Sequence, residues 1–162
     1  MPVPAPIANA ADNFRFNTDW LGKSLKDLSP EEWLRRPCET SNHLLWITGH
    51  VIWARGNLVG LLGTQWSKPW LPLFARGAKV LDAAQYPSPE IALESWNEIS
   101  SLLPGILERA SEEVISAPAP PRIPSADGKV SGVVGFLAIH ETYHVGQAAY
   151  LRCWLGHPGA MG

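Results

Sequence analysis

Residues 131–155 read SGVVGFLAIHETYHVGQAAYLRCWL, a proline-free stretch that begins with a serine and is followed by Gly156 and, two residues on, Pro158. Those signals bound a helix capped by Ser131 and stopped at Gly156. Three further segments carry helical periodicity, and no run alternates apolar and polar residues convincingly enough to predict a strand. The first, over 8–27, spaces Phe14, Thr18, Leu21 and Leu25 at helical intervals and carries them on to Leu28. Ser29, Pro30 and Glu32 then compose a capping box for a short turn through Leu34. The second helix, over 41–62, starts from a Thr40, Ser41, Asn42 cap region, stops at Gly63, and carries a stripe of Ile47, His50, Ala54, Leu58 and Leu61. The third, over 89–115, has Ser88 as its cap and a stripe of Ile91, Ser95, Ile99, Leu102, Leu103, Ile106 and Ala110, with Pro104 expected to kink or split it. The reading is an all-α, four-helix bundle with a long crossover connection, rich in proline and tryptophan, between helices two and three.

Composition narrows the function classes. A chain of 162 residues fits one domain, taken as 1–162 with 1–6 loose. The net charge of −2, with scattered basic residues, gives no footprint for nucleic acid. No run is long and apolar enough for a membrane span, and the first ten residues lack a signal-peptide pattern, so a soluble, cytoplasmic protein is expected. Charged residues make up only 17% while eight tryptophans are present, a surplus of apolar surface that points to a pocket, a subunit interface, or both. Cys38 and Cys153 have no CxxC spacing and read as reduced thiols at buried or semi-buried positions.

The strongest chemical signal is His140-Glu141-Thr142-Tyr143-His144. Residues four apart share one helical face, so both imidazoles can reach a single metal ion. Inward-facing histidines need hydrogen bonds or a metal, and zinc takes at least three protein ligands, so a third donor must come from elsewhere. His157 lies beyond the helix stop and reads as exposed. His50 is central in helix two, where a packed neighbour can bring it level with the pair. His43, in the first turn, is roughly 10 Å further along the axis, so the two cannot comfortably share one ion. His50 is therefore the third candidate. The same letters match the zinc-protease signature His-Glu-x-x-His, with Glu141 as general base. Its usual continuation fails, because Gln147 and Tyr150 replace the expected Gly and His and no Asp or Glu follows His144. Glu141 stays a candidate catalytic residue beside the plainer reading of a solvent-facing or interface carboxylate.

Around these histidines, Trp46-Ile47-Thr48-Gly49-His50-Val51 and His140-x-x-x-His144-x-Gly146-Gln147, followed by Tyr150-Leu151-Arg152 and Leu155-Gly156, resemble the DinB-like, or DinB/YfiT, superfamily of metal-dependent enzymes. The resemblance runs from about Phe14 to Gly156. It implies a four-helix bundle in which His50, His140 and His144 hold a divalent metal, zinc or nickel, and a homodimer. Members of the superfamily use mycothiol or bacillithiol in S-transfer or isomerisation, so the resemblance also implies a low-molecular-weight thiol as cosubstrate. A metal on three imidazoles with an open position can lower the pKa of a thiol, or activate water instead. The substrate stays open, and so do a purely structural ion and a metal-free bundle with hydrogen-bonded core histidines.

Trp46, Trp53 and Asn57, at offsets of −4, +3 and +7 from His50, share its side of the helix and are pocket candidates, with core packing as the competing reading. Gln147 follows His144 by one turn and is a candidate for fixing an imidazole tautomer, against a plain interhelical hydrogen bond. Gly132, Gly135 and Gly146 lower helix propensity, so close helix approach is expected there.

Overall fold

The computed structural model describes residues 2–160, leaving Met1, Met161 and Gly162 outside the described residues. Four long helices, α1 (Ala8–Leu25), α2 (Leu44–Leu61), α3 (Pro89–Arg109) and α5 (Val130–Trp154), are joined by a five-residue α4 (Glu112–Ser116) and several short 3-10 turns. Among the described residues there is no strand, and Pro118 and Lys129 form an isolated bridge. Helix α1 packs on α5, α5 on α2, α2 on α3, and α3 back on α1, which closes a four-membered ring around one apolar core.

The helix ends follow local turn chemistry. Gly63 and Gly156 adopt positive φ, and the amides beyond them reach back to the last turn: Gly63 N to Gly60 O, Thr64 N to Val59 O, Gly156 N to Cys153 O and His157 N to Arg152 O. Both are Schellman ends, which only a residue free of a Cβ adopts cheaply. The capping box at Ser29 is present, with Ser29 N donating to Glu32 Oε2 at 2.8 Å and Glu32 N donating to Ser29 Oγ at 3.4 Å.

Several boundaries and faces differ from expectation. Helix α1 ends at Leu25 because the chain turns through Asp27 at φ 59°, and Arg152 satisfies the freed carbonyl of Lys26 at 2.6 Å. Helix α2 starts three residues late: its N-cap is His43, whose Nδ1 accepts the Trp46 amide at 3.0 Å. Helix α3 runs through Pro104 and breaks at Ala110 instead, where Ser111 caps a new helix by accepting from Val114 N. Its inward stripe is rotated from the expected one, with Trp96 and Leu107 buried while Ile91 and Leu102 are exposed. Helix α5 begins at Val130 after Lys129. Its first turn is held not by Ser131 as N-cap but by Asp127, whose carboxylate accepts from Gly132 N and from the Ser131 hydroxyl. Of the residues expected to be loose, Met1 lies outside the described residues, and those after it are tied down: Ala5–Ile7 form a 3-10 turn, and Val3 and Ile7 pack on the core. Cys38 and Cys153 are exposed, not buried.

The four helices meet at Arg55. Its Nε and Nη2 donate to the two oxygens of Glu141 on α5, both at 2.7 Å, its Nη1 donates to Ser100 Oγ on α3, and Nη2 also reaches Thr18 Oγ1 and Phe14 O on α1. The guanidinium lies 4.1 Å from the Trp96 ring centroid. Both partners are essentially excluded from solvent. Desolvating such a pair is costly, and what makes it tolerable is the fork-on-fork contact with Glu141 together with the further acceptors that Nη1 and Nη2 reach on the neighbouring helices. Glu141→Ala is expected to destabilise the fold by about 3–5 kcal/mol through the uncompensated buried guanidinium. The double replacement Arg55→Met with Glu141→Leu should recover most of that loss, and urea unfolding of the three proteins measures both.

Candidate metal centre

His50 comes from the middle of α2 and His140 and His144 from consecutive turns of α5, and the three imidazoles converge. His140 Nε2 lies 3.2 Å from His50 Nε2 and 3.2 Å from His144 Nε2, and the candidate ligand atoms all fall within 4.8 Å of one another. His43 stays apart as the cap of α2, and His157 is half-buried against Glu32 at 2.8 Å.

The far side of two rings is fixed. His50 Nδ1 lies 2.7 Å from the Phe74 carbonyl, which can only accept, so the ring proton is on Nδ1 and the Nε2 lone pair is free. His144 Nδ1 lies 2.7 Å from Gln147 Oε1, whose amide nitrogen in turn donates to the Tyr143 hydroxyl, giving the same tautomer. Two Nε2 lone pairs therefore aim at His140 Nε2, which carries at most one proton, and hydrogen bonding alone cannot properly satisfy both. A cation would satisfy all three lone pairs at once, and the nitrogens, two pairs of them 3.2 Å apart, are close enough together to share one. The donor set fits a divalent metal that accepts imidazole.

Electrostatics favour the ligand form. Burial first, then the neighbouring His50 and Arg76, pushes the pKa of His140 down to about 4. His144 is pushed to about 4 by burial, His50 and His140, and His50 is lowered by burial against the opposing pull of its Phe74 bond. All three are neutral at pH 7.

The His50 ring stacks on Trp46 at 4.9 Å and on Trp53 at 5.3 Å, so both tryptophans hold the ligand's plane. Trp53, Asn57, His50 and His140 line a cavity of about 790 Å³, and Asn57 donates to the Trp53 carbonyl. Trp46 and Gln147 are not on that wall; Gln147 borders a separate groove with Tyr143. Glu141 is not in the cluster either. It is neither solvent-facing nor on the cavity wall, because one step along α5 turns it into the core, where both its oxygens are occupied by Arg55.

Sequence reasoning missed two supports. The connection between α2 and α3 supplies the Phe74 carbonyl, and Gly49 makes room for it: a Cβ at position 49 would collide with the Phe74 ring. A mid-helix glycine next to the ligand was the available signal. Of the three glycines in α5, Gly132 is needed for close approach, though to the side chains of Asp127 and Ser125 and not to a helix, while Gly135 and Gly146 face open space.

A family model described as the DinB superfamily matches residues 14–148. No curated protein matches the chain significantly.

Two outcomes are expected here. Gly49→Ala should displace Phe74 and weaken metal affinity by roughly 10–100-fold without removing a ligand, as read by competition with a chromogenic chelator. In chelator-treated protein the urea midpoint should fall as pH drops from 6.5 towards 4. His43, pushed to about 4 by burial and Arg36, resists the proton that the unfolded chain takes near 6.5, so its share of stability is present above 6.5 and lost below. His43→Asn keeps an acceptor for the Trp46 amide and should flatten part of that pH dependence; an unchanged slope would contradict the assignment.

Proposed function

The chain belongs to the DinB superfamily, and from that premise we propose that it is a metal-dependent enzyme in which His50, His140 and His144 hold a divalent ion, zinc or nickel, for transfer or hydrolysis reactions using a small thiol or water. The observation that carries this reading is the convergence of three Nε2 lone pairs with two tautomers fixed from behind. A bound ion would supply Lewis acidity that delivers a thiolate or hydroxide equivalent near neutral pH. The chain's own part is to hold the imidazoles neutral, keep the plane of His50 by stacking on Trp46 and Trp53, and open two ligands, His50 and His140, onto a mostly apolar cavity that limits water. Among the described residues the group has three members, which favours an ion with a free position over a closed structural site.

The reading places the enzyme in the cytoplasm as a single domain and as a homodimer. The apolar side chains left exposed along one side of α5, Ile139, Tyr143 and Tyr150, support a subunit contact there.

Elemental analysis of untagged protein is expected to find stoichiometric metal that His50→Ala loses while keeping its helical circular dichroism. In the cobalt-substituted form a small thiol should bring up a thiolate-to-cobalt charge-transfer band, and sedimentation should give a dimer. Absence of metal from the wild-type protein, after growth and purification with zinc and nickel supplied, would overturn the enzyme reading. Unfolding of His50→Ala would favour an ion that merely staples the bundle.

A further inference from the structure

The cavity beside His140 has a chemical polarity of its own. Leu61, Ile123, Phe136 and Leu137 give it apolar walls, and its charged lining residues are Arg76 and Arg122, with no Asp or Glu among the lining side chains. Neither arginine forms a salt bridge or a hydrogen bond among the described residues. Arg76 is near enough to depress the His140 pKa, so the positive end of the cavity adjoins the three-histidine group. Both sit on built loops. Arg76 lies two residues after Phe74, whose carbonyl anchors His50, so one short segment both orients the ligand and supplies the cation.

Arg122 stands at φ 78°, a left-handed conformation that few non-glycine residues adopt. The loop that imposes it is closed at its base by hydrogen bonds from Ala119 N to Gly128 O and from Val130 N to Ala117 O. Both arginine side chains are exposed and line one largely apolar cavity with no carboxylate beside them, so an anion is the ligand whose charge complements that lining. An arginine fork matches a carboxylate in charge and in geometry.

We propose that this cavity binds an organic acid, an apolar body bearing a carboxylate, with the carboxylate on Arg76 and Arg122 and the apolar part against Phe136, Leu137 and Leu61 beside the three-histidine group. This deepens the enzyme reading by naming its substrate class, and rests on that reading for its catalytic meaning only. The cavity volume of about 790 Å³ suits a small organic molecule.

The test is calorimetric titration of the purified protein with 4-phenylbutanoate and with its neutral isostere 4-phenylbutanamide, alongside elemental analysis of the same sample. The acid is expected to bind at least roughly tenfold more tightly than the amide, as charge-assisted hydrogen bonds imply. Arg76→Gln combined with Arg122→Gln should abolish that preference while retaining metal and melting behaviour. Equal binding of acid and amide, no binding of either at millimolar concentration, or a preference that survives in the double variant would overturn the proposal; the last would mean the acid is held elsewhere or on the metal itself. A preference lost in the double variant of a protein that carries no metal would uphold the anion site while the metal reading fails. Metal without the preference would do the reverse.

Discussion

A single buried guanidinium holds the bundle in register. Arg55 meets Glu141 in a two-pronged contact, and its remaining donors reach α1 and α3, so all four long helices converge on one planar group. A charge that deep is tolerated only when it is paired and hydrogen-bonded, which makes the relative heights of the helices a condition of stability. Arg55 lies five residues after His50 on α2, and Glu141 directly follows His140 on α5. The contact that sets α2 against α5 therefore also sets His50 level with His140 and His144. The glutamate of the His-Glu-x-x-His stretch has a structural task here, and the letters alone suggest a different one.

The histidine group depends on a second layer. Phe74 and Gln147 accept the outer N–H of two rings, and both contacts aim the inner lone pairs at a common point. Burial adds to this by keeping the imidazoles neutral, the form in which they ligate. The Phe74 contact requires Gly49, so a backbone choice within α2 and a loop carbonyl far along the chain act together on one ligand.

The two proline-rich connections complete the site. The first carries Phe74 and Arg76, and the second brings Arg122, Ile123 and Pro124 to the same cavity. Helices supply the ligands and loops supply the wall that a substrate meets, a division expected where a rigid scaffold presents variable recognition.

The helices were legible because their signals are local. Apolar residues recur at helical spacing, Gly63 and Gly156 close their helices, and His140 and His144 share a face by the geometry of a turn. The sequence by itself thus determined an all-helical fold, its approximate boundaries and the three histidines that come together. Local signals misled where two of them competed, as at Ala110, where the Ser111 cap rather than Pro104 divides the helix. Only the tertiary structure decided the burial of Glu141 on an arginine 86 positions away, the choice of Phe74 to orient His50, and the placing of two arginines on the cavity wall. The reason is physical: every residue carries a backbone carbonyl and any arginine can pair or stay free, so residue type does not mark the one that packing brings to the site.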